Sequence, residues 1–276
     1  MLLFFIALGL CTGVPLCFLF DVGLPVRIAI GAGLSLGGFV GWLFLYILGL
    51  FIFSLLVDKK KPRTKDHPFA RFLIAETLRL VCQLARAKIT VEGLEKMPEG
   101  RFLLVSNHRS MFDPLVALVA FKKYPLAFVT KPENLKIPLV GGIMRYCCFL
   151  PINRENPRDA IRAINSAAGL IRNDTLSMGI YPEGTRNKGE SPLLPFHGGV
   201  LMIAQKAGGV PIVAVTVENT EKVAKNFPFR RTDIRLKVCT VIPAQEVLAS
   251  RTDDLSAKLY EAMERELLHS VHTLKG

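Results

Sequence analysis

At 276 residues, half of them hydrophobic, with 35 basic against 23 acidic side chains and a net charge of +12, the chain has length for one large domain or two small ones and for a substantial core. The basic excess suits an anionic membrane surface or an anionic substrate. Nucleic acid fits the charge alone, yet an apolar leader makes lipid the more economical partner: Met1–Val57 contains only two charged residues, Asp21 and Arg27, and residues 58–276 carry the other 34 basic and 22 acidic side chains.

The apolar leader comes first. Leu2–Phe20 is 19 residues without a charge, close to the ~20 that cross a hydrocarbon core. Ile28–Val57 adds 30 uncharged residues, with Gly37-Gly38 as a place to bend, and the polar stretch DVGLPVR between the two runs suits a turn. No Lys or Arg precedes the apolar run and no cleavage pattern is evident, which argues against a signal peptide. Residues 1–57 are therefore expected to be N-terminal membrane-embedded helices, as two full spans or as a hairpin buried in one leaflet. Residues 58–68 form a basic linker that opens DKKKPRTK, with five basic side chains. By the positive-inside rule they put the main domain, residues 69–276, on the cytoplasmic side of the membrane.

Within that domain, Phe72, Ala75, Leu78, Val81 and Leu84 mark a helix over residues 69–88. Short apolar runs predict strands at 89–94, 102–106, 126–130, 147–152, 177–181, 210–217 and 234–242, and longer patterns predict helices at 114–123, 157–172, 199–207 and 254–272. Continuous rather than alternating apolar strands, separated by helices, indicate an α/β domain with a mixed, largely buried sheet flanked by helices. The six cysteines show no metal-type CxxC spacing, and a cytoplasmic domain keeps its thiols reduced. They read as small core residues. No His/Cys/Asp/Glu cluster has metal spacing, and there is no P-loop.

The chemistry centres on SNHRSMFDP, residues 106–114. The predicted strand ends at Ser106, so His108 stands at a strand's carboxyl end, where open α/β sheets place ligands. Asp113 supports two readings. Followed by Pro114 and an apolar run, it has the form of an N-cap with Pro at the first helical position. Alternatively, a strand-to-helix turn folds its carboxylate against His108. Positions five apart are ~140° around a regular helix, so the two cannot share a helical face.

The segment resembles the NHxxxxD motif of the glycerolipid acyltransferase family, whose best-known members are lysophosphatidate acyltransferases. Three more blocks follow in the family's order: KPENLKIPLVGGIMRYCCFLPINR (131–154), YPEGTRN (181–187) and GVPIVAVTV (209–217). YPEGTRN, matching (F/Y)PEGTR, is the most specific. The resemblance covers about residues 70–245. Cys147-Cys148 and Phe196-His197 depart from the family's usual residues, which bears on headgroup and acyl preference.

What the resemblance implies is a glycerol-phosphate acyltransferase-like fold and acyl transfer from acyl-CoA or acyl carrier protein to 1-acylglycerol-3-phosphate, giving phosphatidic acid. Membrane lipids are the implied surroundings, with no nucleic acid, no metal and no cofactor beyond the thioester donor. His108 is the implied base and Asp113 its partner. Arg154 and Arg186, with Glu183, Gly184 and Thr185, form the implied phosphate-binding wall, in which Glu183 is expected to orient Arg186 or a backbone amide; Asn107, Ser110 and Lys131 are the implied supporting residues of the site. Glycerol-3-phosphate or another lysolipid is the alternative acceptor. A lipid-binding protein without turnover needs no base, and no GxSxG elbow supports a serine hydrolase. Beyond these blocks, EKVAKNFPFRR (221–231) joins Lys222, Lys225, Arg230 and Arg231 to Phe227 and Phe229. It reads equally as a membrane-touching loop or as a solvated connection with an aromatic packed beneath it.

Overall fold

The computed structural model describes residues 1–58, 63–153 and 156–273, with backbone only from 271 onward. Lys59–Pro62 of the basic linker and Arg154 lie outside the described residues. The chain opens with helices α1 (Leu2–Leu16) and α2 (Leu24–Leu55), followed by α3 (Pro68–Leu84). The α/β domain continues through β1 (Ala87–Glu92), β2 (Leu103–Ser106), α4 (Asp113–Ala120), β3 (Leu126–Thr130), α5 (Val140–Tyr146), β4 (Leu150–Pro151), α6 (Pro157–Arg172), β5 (Ser177–Ile180), α7 (Met202–Lys206), β6 (Ile212–Glu218), α8 (Val223–Asn226), β7 (Thr232–Ile242), α9 (Ala244–Ala249) and α10 (Thr252–Thr273).

The strands form one seven-stranded sheet in the order β1-β7-β6-β2-β5-β3-β4. β6, β2, β5, β3 and β4 run parallel, while β7 is antiparallel to β6 and β1 follows β7. The sheet is mixed, as the sequence pattern predicts. β2 and β5 are buried at every position, which is what helices on both faces require of a central parallel strand. Phe102, Leu103, Leu126 and Met178 are among the largest fully buried side chains, each worth roughly 1.5–3 kcal/mol of transfer free energy.

Local chemistry fixes the helix boundaries. α3 starts at Pro68, and the side chain of His67 accepts the Ala70 N–H. α6 starts at Pro157, with Asn156 capping the Arg158 N–H at 3.0 Å. One expectation needs correction. The apolar run 147–152 is not a strand for most of its length: Cys147 ends α5, Cys148 takes a positive φ, and only Leu150 and Pro151 pair with β3. α2 is unbroken through Gly37-Gly38. Those glycines do not interrupt it. A Cβ on Gly38 would lie 3.1 Å from the Thr12 side chain and 3.3 Å from Gly9, so it serves close packing of α1 on α2.

Leu2–Leu19, which is α1 with the 3-10 turn that continues it, and α2 are each, by length and composition, apolar enough to cross a membrane, and they expose most of their side chains. The lower end of α2 docks on the domain, with Phe53 stacked on Tyr146 at 4.6 Å and Tyr46 hydrogen-bonded to Thr77 at 2.8 Å. Phe53 also meets Phe69 at the start of α3, so α2 runs antiparallel to α3. Its first half, paired with α1, therefore projects past the C-terminal end of α3, where the Leu2 N–H reaches Gln83 Oε1. That end of α3 feeds β1, which starts beside β7 at the sheet edge where β2, β5 and β6 finish.

Candidate active site

β2 delivers the chain to this edge. Asn107 at its end is buried, and its amide holds the backbone of Val217 on both sides: Nδ2 donates to the carbonyl at 2.9 Å and Oδ1 accepts the N–H at 2.7 Å. The tip of β2 is thereby fastened to β6, and His108 follows from a fixed point.

The loop 108–112 then folds Asp113 back under the imidazole. His108 Nδ1 lies 2.8 Å from Asp113 Oδ2. The same oxygen accepts the N–H groups of Arg109 at 2.7 Å and Ser110 at 2.8 Å, and Oδ1 accepts the hydroxyl of Thr220. Asp113 is 0% exposed. Of its two readings, the N-cap is not what the structure contains. α4 begins at Asp113 itself, Phe112 occupies the cap position without a side-chain bond, and the carboxylate points back to donors that precede the helix. An oxygen already taken by two backbone N–H groups requires the proton on Nδ1 of His108, leaving Nε2 as the acceptor nitrogen. Ser110 Oγ accepts the Phe112 N–H at 3.2 Å, a local turn bond.

The 181–194 segment clasps the histidine. Tyr181 stacks on the imidazole with ring centroids 4.2 Å apart, and Phe128 stacks behind Tyr181 at 5.4 Å. Glu183 Oε1 accepts the His108 N–H at 2.7 Å and its Oε2 the Leu194 N–H at 3.0 Å, while the Asn187 N–H donates to the His108 carbonyl at 2.7 Å. Glu183 is buried; desolvation raises its carboxyl above the ordinary value, against the two backbone N–H groups that favour the anion. Of the two roles expected for Glu183, orienting Arg186 or holding a backbone amide, both of its oxygens take the second. Gly184 turns at φ +71°, and Thr185 and Arg186 are exposed. Lys131 is exposed at the turn after β3 and makes no hydrogen bond to His108 or Asp113. Arg154 cannot be placed, being outside the described residues.

A mainly apolar cavity of about 380 Å³ opens beside this segment, with Val129, Ile164, Ile180 and Val200 in its walls and Gly184, Thr185 and His197 also lining it. Tyr181 also lines it; its hydroxyl is buried without a hydrogen-bond partner and burial holds its pKa well above the ordinary value. Burial likewise pushes the thiols of Cys147 and Cys148 up to about 12 and about 11, so they are unreactive core groups. Among the described residues no group of His, Cys, Asp and Glu is arranged to hold a metal ion. The residue that sequence reasoning missed is Thr220. It lies 107 positions from Asp113, and only the adjacency of β6 and β2 brings the two together.

The acyltransferase family's sequence profile matches residues 88–218. The chain is 32% identical over 173 residues to the chloroplastic 1-acyl-sn-glycerol-3-phosphate acyltransferase of Brassica napus, covering 62% of this chain and 47% of that one. It is 34% identical over 138 residues to the 1-acyl-sn-glycerol-3-phosphate acyltransferase of Borreliella burgdorferi, covering 50% of this chain and 54% of that one. The chain thus spans about half the length of these curated relatives. The crystal structure of the 1-acyl-sn-glycerophosphate (LPA) acyltransferase from Thermotoga maritima superposes with a TM-score of 0.62 at 26% identity, covering 82% of this chain and 90% of that one.

Proposed function

We propose, for a chain that belongs to the acyltransferase family through residues 88–218, that it transfers a fatty acyl group from an acyl thioester to the sn-2 hydroxyl of 1-acylglycerol-3-phosphate, forming phosphatidic acid. The observation that carries this reading is the His108–Asp113 contact of 2.8 Å with the carboxylate fully buried. A lipid hydroxyl is a poor nucleophile at neutral pH. Nε2 of His108 removes its proton as the oxygen attacks the thioester carbonyl, and Asp113 holds the tautomer and stabilises the imidazolium that forms. The tetrahedral intermediate collapses with departure of the thiolate, which takes up the proton. No acyl-enzyme is required.

Arg186 and Arg154 supply the guanidinium groups that bind a phosphate through paired hydrogen bonds. Gly184 and Thr185 complete that wall, and Asn107, Ser110 and Glu183 hold the loop that carries His108. The apolar hairpin supports a membrane enzyme acting on a lipid acceptor, and the basic linker supports a catalytic domain on the cytoplasmic side. The donor is acyl-CoA or acyl carrier protein.

The test is acyl transfer to lysophosphatidate by the purified full chain and its His108→Ala variant, from labelled acyl-CoA and acyl-acyl carrier protein in parallel. Removing a general base lowers turnover by ~10²-fold or more. Equal activity of the two proteins would refute the mechanism, and wild type inactive on lysophosphatidate but active on glycerol-3-phosphate would move the acceptor.

A further inference from the structure

The active-site edge carries a feature that the reaction does not use. The connection between β6 and β7 passes Thr220 and then extends through α8 to a tip where Phe227 and Phe229 are 55% and 84% exposed. No other large apolar side chain among the described residues is as exposed as Phe229. Two adjacent aromatics facing outward are costly in water unless a partner covers them. Of the two readings open from the sequence, packing of these rings beneath the connection is therefore absent.

The surroundings favour a lipid partner over a protein one. Lys222, Lys225, Arg230 and Arg231 on the connection are all exposed, as is Arg86 beneath it, whose Nη1 donates to the Phe229 carbonyl at 3.2 Å. Glu221 and Asp233 are the nearby acidic residues in sequence, and Asp233 is paired with Arg231. Aromatic rings ringed by surplus cations match the boundary between acyl chains and anionic headgroups. The tip is also continuous with the apolar leader. Arg86 follows the end of α3, Gln83 three residues earlier receives the Leu2 N–H of α1, and Leu84 between them is exposed.

We infer that residues 221–231 form a second bilayer contact: Phe227 and Phe229 enter the interface while Lys225, Arg230 and Arg86 meet anionic lipid phosphates. This rests on the reading of α1 and α2 as membrane-embedded. The contact holds the His108 edge against the surface from which a lipid acceptor arrives.

Trp42 is the only tryptophan, so Phe229→Trp in a Trp42→Phe background gives the full chain one reporter at the tip. It is reconstituted into phosphatidylcholine vesicles with and without phosphatidylglycerol, containing lipids brominated near the headgroup. The expected result is flotation with the vesicles, a blue-shifted emission and at least ~2-fold quenching, stronger with the anionic lipid. Flotation without quenching would overturn the inference and leave the hairpin reading standing. Failure to float would overturn both, and equal quenching in the two lipid mixtures would remove the cations from the contact. As a second variant, Phe227→Ser with Phe229→Ser should raise KM for vesicle-borne acceptor by ~3-fold or more and leave turnover of detergent-dispersed acceptor unchanged. Unchanged KM on vesicles would count equally against the contact.

Discussion

Thr220→Val removes one hydroxyl and leaves the shape of the side chain. In the wild type that hydroxyl donates to Asp113 Oδ1, the carboxylate oxygen that neither His108 nor the loop amides reach. Both residues are fully buried, so no water replaces the lost donor. A hydrogen bond to a charged group is worth ~1.5–3 kcal/mol, and ~1.36 kcal/mol is tenfold in rate. Oδ2 keeps its three donors, so the lower end applies: kcat should fall about tenfold with little change in KM, because Thr220 positions the dyad without touching substrate. Thr220→Ser, which keeps the hydroxyl, should restore kcat. Wild-type kcat in Thr220→Val, or an equal loss in the serine variant, would refute the assignment.

Two further outcomes follow from packing and burial. A methyl added in Gly179→Ala would sit 2.3 Å from Cε1 of Phe128, and the displaced ring lies behind Tyr181, which in turn stacks on His108; overpacking of this kind costs ~1–3 kcal/mol. Both Tm and kcat should fall, and a lower Tm with full kcat would show that the stack does not orient the imidazole. Glu183 has its carboxyl raised above the ordinary 4.5 by burial. Between those two values the folded chain binds more protons than the unfolded one, so this residue's contribution to stability declines as pH rises through that window. Glu183→Gln should flatten the slope in unfolding-midpoint measurements while lowering overall stability, since an amide cannot accept both N–H groups; an unchanged slope would refute the burial argument.

The parts legible in the sequence are those whose signal is local. The α6 boundaries coincide with the predicted 157–172, where Asn156 and Pro157 mark the start, and β3 occupies the predicted 126–130. The run 147–152 misled because six apolar residues fit a buried helix end as well as a strand, and periodicity alone does not separate the two. α5 carries no clear helical signal of its own, because Gly141 and Gly142 are poor helix formers. A Cβ on Gly142 would lie 2.2 Å from the Ser54 carbonyl of α2, so that glycine answers to a helix contact 88 positions away, which no local window contains. The site divides in the same manner. His108 and Asp113 share a loop, and their segment held the correct pairing as one of two readings, whereas Thr220 required the strand order β6-β2.

The β6–β7 connection carries two separate tasks, and its two ends can be distinguished by experiment. At one end Thr220 is fixed to Asp113, and at the other the main chain of Phe229 is fixed to Arg86, beside the start of the apolar hairpin. Damage at the first end alters the electrostatics of proton transfer, so Thr220→Val should slow turnover of dispersed and vesicle-borne acceptor by the same factor. Damage at the tip leaves the dyad's donors in place and weakens only the approach of the site to a surface. Phe227→Ser with Phe229→Ser should then discriminate between the two presentations of acceptor, and the triple variant should show the product of the two effects, as distant independent sites do. A triple variant no slower on vesicles than Thr220→Val alone would mean that the tip contributes nothing to acceptor access, and that the hairpin by itself holds the active-site edge at the bilayer.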